Sequence, residues 1–520
     1  MKMKNNYKSV INTDSTRLHI VYKSMLVGLL AGVVTCAYRL LLEKAEVLSF
    51  MIYDFFRNHL ILLPILFLVL GTGGYCTGLL INKFKMISGS GIPQVKGIIM
   101  GYFKNKWIGT LIAKSVGGLL SILAGLSLGR EGPSIQIGAC VAEGVGKKLA
   151  VTRHERKVLI ASGASAGLAA AFNAPLAGAM FAMEEIFKYF SPVILLSTMV
   201  SAVIADYISK IVFGLQPIFQ FNLENSISLK GYWLLILLGA VLGVCGAFYN
   251  YILILTQKLY KKVKWLNKKN RPIIPFALAG ILGLVFPIVL GGGHVIMGEI
   301  KLSSSLTFLF IILIVKFIFS MISFGSGAPG GIFFPLLVMG AAIGAVFGNI
   351  AINYLGFDAD LFYNFVILAM VGFFTSIVRA PITGVILLIE MTGSFTHLLP
   401  LTITSIFSYV VADLLKSAPI YDSLLENQVA EKGTPSEQPD SGKKVTFEIV
   451  VHHGSSAENK YIKDIKLPDN CLFIAIKRNQ LEFIPNGNTK ILAGDYLILL
   501  TDVNAEALIR EKLNYIATIA

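Results

Sequence analysis

Long apolar stretches without any charged residue dominate the chain. Three of them cover residues 232–257, 273–297 and 317–357. A helix of about 20 apolar residues is long enough to cross a bilayer. The pattern therefore predicts an all-α, multi-pass membrane protein. The polar and basic segment 1–23 lacks a signal-peptide pattern, so we expect it to stay on the protein as a cytosolic segment before a first span near Ser24.

Glycine and proline lie inside these apolar stretches rather than between them. Because no water satisfies backbone groups in lipid, interrupted helices persist only where protein or a polar cavity covers the break. The membrane region is therefore predicted to contain broken helices, which are typical of transporters.

Two motifs occur twice in the same order. Residues 129–139 (GREGPSIQIGA) and 331–341 (GIFFPLLVMGA) share the frame G-x-x-x-P-x-x-x-x-G-A, and residues 174–184 (APLAGAMFAME) match 380–390 (APITGVILLIE). The repetition predicts two related halves, arranged as an inverted repeat, with the substrate site between them near the middle of the membrane. We place the halves at about 24–215 and 228–422.

The composition changes after the second half. Residues 426–444 are polar and are predicted to be a linker, and residues 445–520 are predicted to form a soluble α+β domain. Its expected elements are four short strands, a turn at Asn479 and Gln480, and a closing amphipathic helix from Asn504 to Tyr515; the strand sequences are VTFEIVV, LFIAIKR, LEFIPNG and DYLILLT.

The net charge of +15 does not indicate a nucleic-acid partner, because basic residues cluster in short segments beside apolar stretches. The segment 258–271 has seven basic residues and no acidic one, which places it in the cytoplasm. Cysteines show no metal-ligand spacing, so we expect neither a metal site nor a cofactor.

Three segments combine glycine with a proline that suits the first turn of a helix: residues 88–94, 129–134 and 327–335. Helix N-termini present unsatisfied N–H groups and about half a positive charge, so several of them together can hold an anion. Close packing of helices through small residues would explain each segment taken alone.

Taken together, the segments resemble the CLC chloride channel and transporter family. Its three anion-binding signatures occur in order as GSGIP (89–93), GREGP (129–133) and GIFFP (331–335), and its terminal tyrosine matches Tyr421. The resemblance extends over residues 24–425, including the segment 163–185 that ends in two glutamates.

The resemblance implies that chloride, the transported ion, is bound by the hydroxyls of Ser90 and Tyr421 and the backbone N–H groups of Ile332 and Phe333. By the same resemblance, serine at position 90 favours chloride over nitrate or fluoride. Supporting backbone is implied for Gly89, Gly91, Arg130, Gly132 and Gly331.

The resemblance also implies that two glutamates handle protons. Glu131 resembles the family's gate and external proton-transfer residue, the alternative being a salt bridge to Arg130. Glu185 resembles the internal proton glutamate, the alternative being a solvated helix end. Because adjacent helix positions point about 100° apart, Glu184 cannot share the face of Glu185, and its repeat partner Glu390 marks the pair as structural.

These features predict exchange of chloride against protons by a bacterial membrane protein that is not an enzyme, and the family resemblance implies a homodimer. A passive voltage- or pH-gated chloride channel is the alternative. A potassium channel is disfavoured because GTGGYC (71–76) matches a selectivity filter poorly.

Two lysines remain without an assigned role. Lys96 stands where many relatives carry an acidic residue, and Lys114 matches a buried family lysine whose partner is then in doubt. The C-terminal domain resembles the TrkA-C type, which implies a cytoplasmic location and a possible small-molecule ligand. Its turn at Gly494 and Asp495 is compatible with ligand sensing or with dimer contact.

Overall fold

The structure, a computed structural model, describes residues 2–221, 223, 225–263, 265–432, 444–467, 471–478, 481–502 and 506–517. The expected turn at Asn479 and Gln480 lies outside these residues, and so does the part 433–443 of the expected linker. The bounds 426–444 predicted for the linker are wrong at both ends, because residues 426–432 are helical and Lys444 begins a strand. The helices of the apolar region are α1 Lys2–Asn58, α2 Leu63–Lys83, α3 Ile92–Met100, α4 Trp107–Leu123, α5 Glu131–Lys148, α6 Arg153–Phe172, α7 Pro175–Phe181, α8 Pro192–Phe213, α9 Tyr232–Lys262, α10 Ile273–Val285, α11 His294–Glu299, α12 Leu306–Gly325, α13 Phe333–Leu355, α14 Phe362–Val378, α15 Pro381–Thr392, α16 Leu398–Leu414 and α17 Ile420–Lys432.

Eight helices among the described residues are long and apolar enough to cross a membrane. The first of these candidate spans, Leu18–Asn58, is the apolar part of α1 and includes the expected start near Ser24. Large apolar side chains remain exposed along these helices, as expected for surfaces that face lipid. The predicted all-α, multi-pass architecture is confirmed.

The charge-free stretch 317–357 is not one helix. It divides into the end of α12 and the whole of α13, separated by residues 326–332, which include Gly327 at φ +84°. This backbone break lies in buried surroundings, as the predicted broken helices require.

The two halves hold each other through equivalent contacts. The Glu390 carboxylate accepts the N–H groups of Leu176 (3.0 Å) and Ala177 (2.8 Å), at the start of α7. The Glu184 carboxylate accepts the N–H groups of Ile382 (3.1 Å) and Thr383 (2.7 Å), at the start of α15. Each glutamate therefore caps a helix of the other half, as expected from their repeat positions.

The C-terminal residues form a four-stranded antiparallel sheet in the order β1-β4-β2-β3, where β1 is Lys444–Val450, β2 Cys471–Arg478, β3 Leu481–Phe483 and β4 Tyr496–Asp502. The helix α18, Glu506–Ala517, contributes Ile509 and Leu513 to the core of this domain, together with Ile449, Ile476 and Leu499. Three predicted strands, VTFEIVV, LFIAIKR and DYLILLT, agree with β1, β2 and β4 to within one residue at each end. The expected strand LEFIPNG (481–487) is too long, because β3 ends at Phe483, before the proline and glycine of this segment. The closing helix is present and extends to Ala517 rather than Tyr515. The chain divides into two compact units, 1–96 with 105–425, and 97–104 with 426–520.

Candidate anion and proton sites

The three glycine-rich motifs each end at a helix start. The helices α3, α5 and α13 begin at Ile92, Glu131 and Phe333, each with a proline in the first turn. Proline is favoured there because the first backbone N–H groups of a helix have no intrahelical partner. N–H groups of a first turn are also the groups that bind anions at helix starts.

Backbone hydrogen bonds tie these motifs together. Gly129 and Gly331 exchange two N–H···O bonds of 2.7 Å each, which join the second motif to the third. The N–H of Gly89 donates to Gly327 O (3.2 Å), and the N–H of Gly330 donates to Gly89 O (3.1 Å). The three loops therefore meet at one place, which brings GREGP of the first half against GIFFP of the second.

Glycine is required where these loops approach one another. A Cβ on Gly132 would lie 2.7 Å from the carbonyl oxygen of Ser90. Gly91 has a φ of +100°, and a Cβ there would lie 2.5 Å from Gln136 Oε1. A side chain at either position would clash, and at Gly91 it would also strain the backbone. The glycines therefore allow the Ser90 loop to pack on the first turn of α5.

Each of the four predicted chloride ligands is buried. Ser90 is 2% exposed and accepts a long bond from the N–H of Ile92 (3.3 Å), while Ile332, Phe333 and Tyr421 have no exposed surface. The Tyr421 hydroxyl has no hydrogen-bond partner among the described residues. A buried hydroxyl without a partner is costly, so this donor is available for a ligand.

Glu131 is completely buried. Neither carboxylate oxygen makes a well-aligned hydrogen bond among the described residues, but the carboxylate interacts with the backbone N–H groups of Glu131 and Phe334. Its Oε2 lies against the backbone of Gly129: a Cβ at that position would be 2.3 Å from Oε2 and 3.3 Å from the N atom of Phe334. The carboxylate thus occupies space beside the first turn of α13. A negative group is favoured at that end of a helix.

Arg130 does not pair with Glu131. Its Nη1 lies 2.8 Å from Oε1 of Glu43 on α1, so the alternative of a salt bridge between Arg130 and Glu131 is wrong for this structure. A cavity opens beside the Glu131 carboxylate, with polar side chains from Glu46 and His294 in its wall.

Glu185 is also fully buried, which removes the alternative of a solvated helix end. It lies in a π-helical segment, Ala182–Phe187, that follows α7. Its Oε1 lies 3.1 Å from Lys96 Nζ, and its Oε2 lies 2.9 Å from Lys188 Nζ. Single π turns occur often at functional sites, and this one directs Glu185 and Glu184 to different partners.

The two lysines without an assigned role now have partners. Lys96 forms ion pairs with Glu185 and Asp422. Lys114 donates to the carbonyl oxygens of Ile87 (2.9 Å) and Gly89 (2.5 Å) and so holds the Ser90 loop.

Sequence reasoning missed Lys188 and Asp422 as neighbours of Glu185. Both are charged residues close to a motif residue in an apolar stretch. That position in the sequence could have marked them as candidate partners of Glu185. Tyr421 lies within electrostatic range of both Glu185 and Glu131. The GTGGYC segment (71–76) lies inside α2, where its carbonyls serve the helix, so it cannot form a potassium selectivity filter.

Comparison with known proteins agrees with this geometry. Residues 73–413 match the voltage gated chloride channel family, and residues 446–514 match the TrkA-C domain. The chain is similar to the H+/Cl− exchange transporter ClcA of Vibrio cholerae serotype O1 (strain M66-2), at 34% identity over 459 residues that cover 84% of this chain and 97% of the relative.

A second similar protein is the H+/Cl− exchange transporter ClcA of Klebsiella pneumoniae subsp. pneumoniae, at 30% identity over 436 residues that cover 82% of this chain and 92% of the relative. Among solved structures, the chain resembles a slow cyanobacterial Cl−/H+ antiporter, with a TM-score of 0.75 and 29% identity over 79% of this chain and 98% of that one. The chain therefore belongs to the voltage gated chloride channel (CLC) family of multi-pass membrane proteins and carries a C-terminal TrkA-C domain.

Proposed function

We propose that this protein exchanges chloride for protons across the membrane. Chloride is bound by the hydroxyls of Ser90 and Tyr421 and the N–H groups of Ile332 and Phe333. Glu131 acts as gate and external proton-transfer group, and Glu185 acts as the internal proton-transfer group.

The proposed chloride ligands suit an ion that must leave again. They are hydroxyl and amide donors that carry no full charge, aided by the positive ends of α3, α5 and α13. A lysine or arginine touching the ion would hold it more tightly. Lys114, which contacts the Ser90 loop, donates to the carbonyls of Ile87 and Gly89.

Glu131 is the natural competitor for the chloride position. When ionised, its carboxylate is an anion beside the start of α13 and keeps chloride out. When protonated, it loses that attraction and leaves the start of α13. Proton uptake at Glu131 therefore opens the pathway to chloride.

The observation that carries the proposal is the pair of fully buried carboxylates, Glu131 and Glu185, both within electrostatic range of Tyr421. A passive channel needs the gate alone, whereas an exchanger needs a protonatable group on each side of the anion path. The names of the similar proteins, H+/Cl− exchange transporters and a Cl−/H+ antiporter, favour the exchanger.

The test is chloride-driven proton uptake into proteoliposomes. In the native protein, chloride that flows down its concentration gradient should drive protons against the proton gradient. Glu185→Gln should abolish proton movement and retain chloride flux, and Glu131→Ala should abolish proton movement and the pH dependence of chloride flux. Glu155→Gln, a matched change at the capping box of α6, should behave like the native protein.

Two results would contradict the proposal. Chloride flux in the native protein without any proton movement favours the passive channel. Proton movement that survives Glu185→Gln removes Glu185 from the pathway.

We also propose that the protein is a homodimer, with the TrkA-C domain in the cytoplasm as a ligand-binding regulatory domain. The support is the family membership and the basic segment 258–271, which the charge distribution assigns to the cytoplasm. Light scattering in detergent tests the first point. Protease access to the C-terminal domain in inside-out vesicles tests the second.

A further inference from the structure

Four charged side chains form a closed cluster around Glu185. Lys96 pairs with both Glu185 and Asp422. Lys188 lies 2.9 Å from Glu185 Oε2 and 3.6 Å from Asp422 Oδ2. Each lysine therefore forms ion pairs with both carboxylates, and each carboxylate forms ion pairs with both lysines.

Burial differs across this cluster. The side chains of Glu185 and Lys96 are 0% and 2% exposed, whereas those of Asp422 and Lys188 are 31% and 36% exposed. Asp422 is thus the carboxylate that stays closer to the surface of the structure. It can stay ionised at lower cost than Glu185 if one of the two takes up a proton.

We propose that Asp422 is a positioning residue of the internal proton site, because it holds Lys96 and Lys188 while Glu185 is protonated. The inference rests on the proposed proton exchange. With Glu185 ionised, two positive and two negative charges balance. With Glu185 protonated, both ammonium groups would lack a carboxylate partner in the cluster if Asp422 were absent. For Lys96, whose side chain is 2% exposed, such an unpaired buried charge is strongly unfavourable.

Little movement is needed for this change of partners. Lys96 already bonds to Asp422, and Lys188 needs to approach Asp422 by less than an ångström to reach hydrogen-bond distance. The proton arriving at Glu185 therefore does not have to displace a solvated cation. It only shifts two lysines from one carboxylate to its neighbour.

The other charged neighbours of the cluster are already engaged. Glu184 interacts electrostatically with Lys188, but its carboxylate accepts the N–H groups of Ile382 and Thr383. Tyr421 lies within electrostatic range of Glu185 and immediately precedes Asp422. The shift of the lysines toward Asp422 thus takes place next to the proposed chloride ligand.

The experiment compares three variants in proteoliposomes. Asp422→Asn removes the second carboxylate at nearly constant shape, and we expect chloride flux to continue while protons moved per chloride fall about tenfold, the change for about 1.4 kcal/mol. Acidifying the inner side should restore part of the proton movement, because the higher proton concentration offsets the added cost. Lys96→Met should retain proton movement, because it removes a cation that opposes protonation.

The double variant Lys96→Met with Asp422→Asn decides between electrostatic and merely structural roles. It leaves one lysine and one glutamate, so the charges balance again and proton movement should recover. Asp413→Asn provides the matched control, since Asp413 is a largely exposed carboxylate 3.4 Å from Arg379.

The outcomes separate the two proposals. A native protein that moves no protons overturns the proposed function itself. A native protein that moves protons, with Asp422→Asn equally coupled, overturns the role of Asp422 alone. That role is also overturned if Asp422→Asn loses coupling, or all chloride flux, and the double variant fails to recover it.

Discussion

Gly129 leaves the space that the Glu131 carboxylate fills. A Cβ at this position would lie 2.3 Å from Glu131 Oε2, closer than non-bonded atoms approach, while the Pro335 ring and the Phe334 N atom limit the space at 3.1 and 3.3 Å. Of these neighbours, the flexible carboxylate is the one that can move. The residue therefore controls where Glu131 rests without taking part in binding itself.

We predict that Gly129→Ala displaces the Glu131 carboxylate from the start of α13. In the native protein, chloride flux should rise as the pH falls, because protonation releases the gate. In the variant, this rise should be reduced by about half or more, since the ionised carboxylate no longer rests at the anion position. The measurement is the chloride flux of the native protein and of the variant over a series of pH values.

Gly298→Ala is the control, because a Cβ at Gly298 meets no atom within 4 Å. It should keep the native pH dependence. An unchanged pH dependence in Gly129→Ala would show that the carboxylate position beside α13 does not block chloride.

Tyr421 offers a more direct probe of the chloride ligands. We predict that Tyr421→Phe weakens chloride binding by roughly fivefold, about 1 kcal/mol, because it removes one hydroxyl donor and keeps the buried ring. Isothermal titration calorimetry with chloride measures the Kd. Tyr53→Phe is the control, since that hydroxyl already donates to Ala124 O at 2.8 Å; equal chloride affinity in both variants would exclude Tyr421 as a ligand.

The sequence alone predicted those candidate residues whose type and immediate neighbours already indicate a role. Glycines beside helix-starting prolines and isolated glutamates in apolar stretches are visible in the single chain. Ser90 and Tyr421, in contrast, were predicted as ligands through the family resemblance. The sequence did not predict the ion-pair partners of Arg130 and Lys96. Arg130 pairs with Glu43, 87 positions away, and Lys96 pairs with Asp422, 326 positions away. Such pairings depend on how helices pack, which no local pattern encodes.

At the scale of helices and loops, the two halves repeat an arrangement of lysine and carbonyl groups. Lys114 on α4 donates to Ile87 O and Gly89 O, and Lys316 on α12 donates to Val289 O (2.9 Å) and Gly291 O (2.7 Å). Every residue of the second set lies 202 positions after its counterpart. Each buried ammonium therefore fixes a glycine-rich loop before a helix, and only the first of these loops contains Ser90.

This difference leads to a paired prediction. Lys114→Met and Lys316→Met should each lower the free energy of unfolding by about 1–3 kcal/mol, because each leaves two buried carbonyls without a donor. Only Lys114→Met should also weaken chloride binding, since it releases the loop that carries Ser90. Thermal unfolding and chloride titration of both purified variants check the two parts, and equal losses of chloride affinity would contradict the assignment.

The extent of the elements was less predictable than their order. Composition located the breaks in the apolar stretch 317–357 and the strands after residue 444. It did not show that Glu185 lies in a π-helical segment whereas Glu390, at the repeat position of Glu184, ends a regular helix. This segment lets Glu184 reach the start of α15 and Glu185 reach Lys96 on α3, and both contacts depend on residues far away along the chain.

At the scale of the whole molecule, the chain consists of two compact units, one of them containing the small sheet domain. The turn before β4 holds this domain together through Asp495, which is 1% exposed. Its carboxylate accepts Nε and Nη2 of Arg478 at 2.8 and 2.7 Å and the N–H of Leu492 at 2.8 Å. The hydrogen bond with Asp495 raises the pKa of Arg478, so this pair keeps its cation throughout the ordinary pH range. The sequence analysis considered ligand sensing or dimer contact for this turn. The structure adds that Asp495 stabilises the fold of the domain.

We predict that Asp495→Asn destabilises the C-terminal domain by about 2 kcal/mol and leaves chloride flux unchanged. The amide presents an NH2 group to a guanidinium that also only donates, so at least one of the two bonds is lost and a buried group lacks its partner. Hydrogen exchange on the full-length protein should show faster exchange in β2 and β4 and native rates in α5 and α13. The exposed Asp464→Asn serves as control. Because the membrane helices derive their stability from packing within their own unit, faster exchange in α5 or α13 as well would mean that the two units unfold as one.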